Sequence, residues 1–152
     1  QKLKECLLEQ FRILHDEKFV RTFFVGGALG VDMWAGEQLL TLRAQTGYED
    51  IKIVVVVPFI GYDSKWPDQS RHRLKKLIQN ANDSIVISHS ADVSSYKKEF
   101  YMVDHAEYLI GVFDNQKKLR SGTAQTVNYA LHQGKVITLI HPDTMEITAP
   151  AP

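Results

Sequence analysis

The sequence has one cysteine, no excess of either charge and no long apolar run, and each absence excludes a class of protein. Cys6 alone forms no intrachain disulfide, and nothing resembles a signal peptide, so we expect a cytoplasmic protein. The 18 basic and 18 acidic residues cancel, which disfavours nucleic acid as a partner. The longest apolar run, residues 51–60, contains Lys52 and Pro58 and is too short to span a membrane.

Patterns of metal and nucleophilic chemistry are also absent from the sequence. The six histidines are scattered, without i,i+4 pairing or cysteine partners, so we expect no metal site and no cofactor. No G-x-S-x-G motif and no Cys/His pair at a familiar spacing supports a nucleophilic enzyme.

The sequence does contain alternating helical and strand patterns along 152 residues, of which 44% are hydrophobic. Such alternation predicts right-handed crossovers and a three-layer α/β domain with a mainly parallel sheet. We expect one domain over residues 1–147 and a peripheral tail over residues 148–152. The predicted strands are residues 19–25, 51–57, 84–88, 108–113 and 136–140, and the predicted helices are about 2–16, 31–46, 74–81, 96–106 and 123–133.

The most informative motif is a glycine-rich turn between the first predicted strand and the following helix. We expect Gly26 and Gly27 to allow positive φ and close approach of a ligand, because neither carries a Cβ. Backbone N–H groups and the helix dipole at such a turn can bind a phosphate, although a plain strand–helix turn explains the spacing equally well. The turn continues through Ala28, Leu29 and Gly30, and Asp32 lies in the first helical turn.

A second candidate motif precedes the last predicted helix, at Ser121, Gly122 and Thr123. The two hydroxyl groups can bind a phosphate, although helix capping alone is the simpler interpretation. Both motifs follow predicted strands, as does an aromatic loop that contains Phe59 and Trp66. Because ligands bind beyond the carboxyl ends of parallel strands, this coincidence favours the phosphate interpretation.

Several motifs in order resemble one family. Residues 26–35, G-G-A-L-G-V-D-M-W-A, are similar to the G-x-A-L-G-x-D-x-W-A signature of the YpsA-like branch of the SLOG superfamily, and the similarity extends over residues 20–142. The resemblance implies a Rossmann-like fold that binds a nucleotide-derived ligand, ADP-ribose-like or cyclic, as a sensor or sequestering protein in antiviral defence or counter-defence. Further matches are Val57-Pro58-Phe59, Lys65-Trp66-Pro67, Met102-Val103-Asp104 and Gly122-Thr123.

The resemblance also implies a set of ligand-binding residues. Asp32 is expected to bind a ligand hydroxyl or base, although a carboxylate in a first helical turn also favours the dipole. Asp104 is equally well explained as a surface charge, and Phe59 as a packing residue. The complete set is Gly26, Gly27, Ala28, Leu29, Gly30, Asp32, Phe59, Trp66, Lys98, Asp104, Ser121, Gly122 and Thr123.

Departures from the family pattern bear on activity. Residues before Lys2 do not supply the opening T-G-H-R strand, so we expect this chain to lack the N-terminal strand. Lys98-Glu99 stands where the family has Arg-Asn, and Tyr62 where it has Gln. Thr126 occupies the position of the catalytic glutamate of the related Lonely Guy phosphoribohydrolases, which favours binding. The alternatives are a phosphoribohydrolase and a protein-interaction module with a vestigial pocket.

The resemblance further implies pairing of domains through helices beside the pocket. Phe100, Tyr101, Met102 and Val103 are consecutive, so they cannot all face one sheet. We expect a homodimer or higher homo-oligomer whose interface includes Tyr101. Coverage of these residues by a neighbouring helix of the same chain is the equally supported alternative.

Overall fold

Helices and strands alternate in the computed structural model, which describes residues 2–88, 95–113 and 122–150. The helices are α1 (Lys2–Lys18), α2 (Val31–Arg43), α3 (Asp68–Asn80), α4 (Ser95–Asp104) and α5 (Gly122–His132). The strands are β1 (Thr22–Gly26), β2 (Lys52–Val57), β3 (Asp83–Val86), β4 (Tyr108–Val112), β5 (Val136–Ile140) and β6 (Ile147–Thr148). None of the helices in these ranges combines the length and hydropathy that a membrane span requires.

The strands form two three-stranded sheets. The first has the order β1-β2-β3 and is entirely parallel, with Val25 opposite Val55. The second has the order β4-β5-β6, in which β4 and β5 are parallel and β6 is antiparallel. Helices α1, α2 and α3 contact one another in sequence, and α4 contacts α5. The result is the three-layer, Rossmann-like α/β architecture that the sequence predicts.

The larger hydrophobic core lies between α1, α2 and α3 and the first sheet. Met33, Leu39 and Leu42 of α2 are fully buried against Ile53 and Val55 of β2. Full burial of each such side chain contributes about 1.5–3 kcal/mol. A smaller core joins α4, α5 and β5. The glycine turn that joins β1 to α2 is therefore anchored at both ends by buried residues.

Element boundaries differ from the prediction where the sequence gives no apolar signal. Helix α3 begins at Asp68, because the polar residues before Leu74 are helical without facing the core. Phe19, predicted to begin a strand, instead takes a φ of 59° after the end of α1. Thr148, predicted to begin the tail, belongs to β6, a strand that the sequence did not predict. It pairs there with Leu139 of β5.

Candidate functional site

A cavity of about 400 Å³ lies at the carboxyl ends of β1 and β4, and we call it the carboxyl-end cavity. Ala28 and Leu29 of the glycine turn line it together with Asp32 of α2. Thr123 and Thr126 of α5 also line it. The two motifs that the sequence singles out, far apart along the chain, therefore face one cavity, which also extends along β4. It lies on the side of the sheet's carboxyl ends, where α/β sheets bind ligands.

The glycines of the turn have different structural roles. Positive φ occurs at Gly30, with a value of 82°, and not at Gly26 or Gly27, which corrects the expectation for those two residues. Gly30 is the N-cap of α2, and this backbone conformation strains any residue that carries a Cβ. A Cβ at Gly26 would collide with the Asp32 carboxylate, and a Cβ at Gly27 with the Tyr62 hydroxyl. Gly26 and Gly27 therefore allow close packing.

Three charged side chains lie together at the base of the turn. The Lys98 ammonium is 3.6 Å from Asp32 Oδ2 and 3.1 Å from Glu99 Oε1, although Lys98 is only 6% exposed. The Ala28 N–H donates to Asp32 Oδ2 at 3.4 Å. The Asp32 side chain stays about one third exposed, at 34%. Its carboxylate is thus neutralised by Lys98 from within and accessible to a ligand from the cavity.

Glu99 is a carboxylate of the site that was not among the predicted ligand-binding residues. In the sequence it stood out only as a departure from the family pattern. Its side chain lines the carboxyl-end cavity. Burial raises the pKa of Glu99, the nearby Asp32 charge raises it further, and the Lys98 charge opposes the shift. Lys98 therefore compensates two carboxylates at once, and these ion pairs offset the cost of burying its charge.

The aromatic residues of the loop after β2 form a row that packs behind the turn. The Tyr62 ring contacts Phe59 and Trp66 edge to face, with centroids 6.3 Å and 5.4 Å away. The Tyr62 hydroxyl donates to the Gly27 carbonyl at 2.6 Å. Burial, together with the charges of Asp63 and Asp32, raises the pKa of Tyr62, so this hydroxyl stays protonated. Phe59 and Trp66 are not among the residues that line the carboxyl-end cavity.

Asp104, Gly122 and Ser121 are the remaining residues of the predicted set. Asp104 is exposed and accepts a hydrogen bond from the Tyr129 hydroxyl at 2.5 Å, away from the residues that line the cavity. Gly122 begins α5. Ser121 lies outside the described residues. The cavity therefore brings together Ala28, Leu29, Asp32 and Thr123 among the predicted set.

Some residues that line the cavity carried weaker sequence signals. Thr126 and Val127 follow Thr123 at i+3 and i+4, the spacing that places side chains on one helical face. Gly111 of β4 also lines the cavity, and a Cβ there would lie 3.1 Å from the Leu139 side chain. Glycine inside a strand often marks such a close approach. Within the described part of the chain, no group of three His, Cys, Asp or Glu side chains is placed to hold a metal.

Comparison with known proteins gives relatives of moderate similarity. A UPF0398 protein of Staphylococcus epidermidis is 26% identical over 119 residues, which are 76% of this chain and 62% of that protein. A UPF0398 protein of Staphylococcus haemolyticus is 27% identical over 97 residues, 62% of this chain and 51% of that protein. The chain thus spans less than two thirds of the length of these relatives.

A third relative aligns along most of its length. YoqJ of Bacillus subtilis, described as an uncharacterized protein derived from the SPbeta prophage, is 28% identical over 158 aligned positions, 93% of this chain and 89% of that protein. The YpsA family model, described as the YspA SLOG family, matches residues 1–145. The motifs resembling that family lie in this same range, and the turn at Gly26 to Asp32 faces the cavity. The chain belongs to the YspA SLOG family.

Proposed function

We propose that this chain binds a nucleotide-derived ligand, ADP-ribose-like or cyclic, in the carboxyl-end cavity and does not cleave it. One observation carries the proposal: the glycine turn and the amino end of α5 line the same cavity of about 400 Å³. Each contributes the start of a helix, where backbone N–H groups and the dipole attract anions. A volume of this size is within the range of small-molecule sites.

The charges in the cavity suggest how the ligand is oriented. Asp32 is an acceptor and repels a phosphate, so it suits the hydroxyl groups of a ribose. Thr123 lies on the opposite motif, is exposed, and offers a hydroxyl donor beside the first N–H groups of α5. We therefore place the phosphate near Thr123 and the ribose near Asp32. Leu29, which is 45% exposed, offers an apolar contact to the base.

Two residues that line the cavity, Thr126 and Glu99, bear on whether the ligand is cleaved. Thr126 stands where the related phosphoribohydrolases carry a glutamate, and a hydroxyl cannot replace a carboxylate as acid or base. Glu99 is the carboxylate that favours the alternative, a phosphoribohydrolase, because it lines the cavity and burial raises its pKa. Its ion pair with Lys98 at 3.1 Å opposes that role. The prophage origin of YoqJ favours a sequestering or sensing role here.

The experiment is calorimetric titration of the parent and of two variants at one exposed position. Leu29→Glu places a negative charge in the cavity, whereas Leu29→Gln introduces a side chain of nearly the same size and shape as Glu without the charge. We expect ADP-ribose to bind the parent and Leu29→Gln, and Leu29→Glu to bind about tenfold more weakly or worse, the effect of ~1.4 kcal/mol of repulsion.

Controls separate the parts of the proposal. For adenosine, which lacks phosphate, the affinities of Leu29→Glu and Leu29→Gln should differ much less than they do for ADP-ribose. Chromatography after incubation with AMP should detect no free adenine. Equal affinities of the two Leu29 variants for ADP-ribose would contradict the anion site, and release of adenine would favour the phosphoribohydrolase.

A further inference from the structure

The peptide group between Gly27 and Ala28 is held at both ends. The Gly27 carbonyl accepts a hydrogen bond from the Tyr62 hydroxyl at 2.6 Å. The Ala28 N–H of the same peptide group donates to Asp32 Oδ2 at 3.4 Å. The peptide group is planar and trans, so its carbonyl and its N–H point in opposite directions. The carbonyl therefore faces the loop after β2, and the N–H faces the carboxyl-end cavity, which Ala28 and Asp32 line.

The Tyr62 hydroxyl occupies a position that is free because residue 27 is a glycine. A Cβ on Gly27 would collide with this hydroxyl, and it would lie 3.0 Å from Val57 Cγ1 and 3.3 Å from Leu74 Cδ1. Gly27 is buried, and a buried carbonyl without a donor is costly, so the Tyr62 hydroxyl supplies the hydrogen bond that water would otherwise make. Burial also raises the pKa of Tyr62, and the hydroxyl therefore keeps the proton that it donates.

The loop that carries Tyr62 restricts the movement of its side chain. The Tyr62 N–H donates to the Phe59 carbonyl at 3.4 Å. The Trp66 N–H donates to the Asp63 carbonyl at 3.0 Å, so the loop consists of tight turns. The Phe59 and Trp66 rings contact the Tyr62 ring edge to face, a favourable geometry for aromatic pairs. A side chain with little freedom therefore presents the hydroxyl to the glycine turn.

The N–H side of the peptide group determines which oxygen of Asp32 is left for a ligand. Asp32 Oδ2 accepts from the Ala28 N–H and also lies 3.6 Å from the Lys98 ammonium. Both contacts come from the protein, and both are made by the same oxygen. Within the described part of the chain, no hydrogen bond or ion pair involves Asp32 Oδ1. Since Asp32 lines the carboxyl-end cavity, Oδ1 is the acceptor that it offers there.

Rotation of this peptide group by half a turn would reverse its polarity at Asp32. The Gly27 carbonyl oxygen would then face the carboxylate in place of the Ala28 N–H, and the two negative groups would repel each other. Glycine limits such a rotation less than any other residue, because it has no Cβ. The rotation would also break the hydrogen bond from Tyr62, so this hydrogen bond opposes it.

We propose that Tyr62 is a positioning residue, which fixes the Gly27–Ala28 peptide group and thereby keeps Asp32 Oδ1 directed at a ribose hydroxyl of the ligand. This inference rests on the proposed function, in which Asp32 accepts a hydrogen bond from a ribose. Tyr62 is not among the residues that line the carboxyl-end cavity, so it acts through the peptide group. It therefore determines the preference for a ligand with free ribose hydroxyls, and not the contacts with base or phosphate.

The test compares calorimetric titrations with ADP and with 2′,3′-dideoxy-ADP, which lacks both ribose hydroxyls. We expect the parent to bind ADP ~10-fold more tightly or better, the effect of a hydrogen bond to a charged group. Tyr62→Phe keeps the ring contacts, and its affinity for ADP should fall to that for dideoxy-ADP. Tyr48→Phe is the matched control, because it also removes one hydroxyl donor, here to Asp16 at 2.8 Å, and it should keep the preference of the parent. A general loss of stability would weaken both nucleotides alike and leave their ratio unchanged.

Two further measurements show whether Tyr62 acts through the peptide group and Asp32. Asp32→Ala should abolish the preference for ADP, and Tyr62→Phe added to it should change the ratio no further, since the two residues belong to one network. Without any nucleotide, NMR relaxation dispersion should detect exchange at the Ala28 N–H in Tyr62→Phe, because the peptide group is no longer held. The parent and Tyr48→Phe should show no such exchange.

Three results would overturn the proposal and leave nucleotide binding itself in place. The first is a preference for ADP that Tyr62→Phe retains. The second is a parent that binds both nucleotides equally, because Asp32 would then not contact the ribose hydroxyls. The third is an Ala28 N–H signal in Tyr62→Phe with the position and exchange behaviour of the parent. A parent that binds neither nucleotide would instead contradict the proposed function, and the NMR comparison, which needs no ligand, would still decide whether Tyr62 holds the peptide group.

Discussion

At the residue scale, the sequence predicts the glycine turn but not the role of each glycine. The G-G-A-L-G pattern shows that the chain turns sharply between β1 and α2. It does not show that positive φ falls on Gly30 alone, because that depends on how the first turn of α2 is oriented on the sheet. Nor does it show that Gly27 packs against Tyr62, which comes from a separate loop. A glycine can be needed for its positive φ or for close packing of its neighbours, and only the tertiary structure shows which of the two applies at each position.

Substitution of Gly30 separates the fold from the proposed site. Gly30→Ala places a Cβ in open space at a φ of 82° and a ψ of −125°, outside the left-handed helical region, so its cost is conformational and about 1–3 kcal/mol. Gly134→Ala, at a φ of 71° and also in open space, is the matched control beyond α5. Urea unfolding should show a loss of stability for both variants, and only Gly30→Ala should weaken ADP-ribose binding. Equal affinities would separate the turn from the ligand site.

At the element scale, prediction succeeds where buried residues recur and fails where polar contacts decide. Strand β5 is predicted with its observed bounds, because its apolar run is flanked by Gly134 and Pro142. Strand β6 was not predicted, because two residues carry no periodicity and their pairing with Leu139 and Ile140 is long-range information. The junction of α1 with β2 depends on polar contacts that no helical pattern contains.

His15 joins the end of α1 to the start of β2. Its ring nitrogens lie 2.9 Å from Asp16 Oδ1 and 2.8 Å from Asp50 Oδ1. Burial of the ring acts to lower the pKa of His15, but the hydrogen bonds to both carboxylates outweigh it and raise the pKa above its ordinary value. The hydrogen bond from His15 is in turn the largest cause of the lowered pKa of Asp16 and of Asp50.

These shifts predict how stability depends on pH. Since the pKa of His15 is raised on folding, its contribution is complete below the unfolded value of about 6.5 and is lost as the pH rises through the folded pKa. The free energy of unfolding of the parent should therefore fall as the pH rises above about 6.5 and through the raised folded pKa, and it should fall less in His15→Gln. Urea unfolding at several pH values measures the difference.

Asp50→Asn is the companion variant, because it removes one of the two carboxylates that hold the His15 proton. It should reduce the alkaline loss without abolishing it, as Asp16 still accepts a hydrogen bond from the ring. Parallel stability profiles for the parent and His15→Gln across this range would show that folding does not raise the pKa of His15.

At the scale of the whole molecule, the candidate site lies where the two sheets meet. Ala28, Leu29 and Asp32 come from the first sheet and its helices, and Thr123 from the second. The sequence predicts these four residues because each follows a strand end. It does not predict that Phe59 and Trp66 pack around Tyr62, since the direction of a loop depends on what it packs against. Predicting strand ends is therefore more reliable than predicting loop contacts.

Assembly is the property of the whole molecule that α4 bears on. The Phe100 ring stacks on Tyr129 of α5, with centroids 4.1 Å apart, so a neighbouring helix covers Phe100. The Tyr101 ring instead stacks on His105, just beyond the end of α4, also at 4.1 Å, and stays partly exposed. Coverage by a helix of the same chain thus applies to Phe100. Tyr101 is not covered in this way and is still a candidate anchor for a partner subunit.

We propose that two copies of this chain associate through α4, with Tyr101 in the interface. Tyr101→Glu would bury a carboxylate there, and burial of an unpaired charge is strongly unfavourable, so light scattering should show a shift to monomer. Phe19→Glu is the matched control, because Phe19 is an aromatic residue that is 75% exposed and lies beyond the end of α1. The control should keep the mass of the parent. A parent that is monomeric at every concentration, with and without ADP-ribose, would contradict the assembly. The measurement includes ADP-ribose because a ligand shifts the equilibrium between monomer and dimer only if it binds the two states differently.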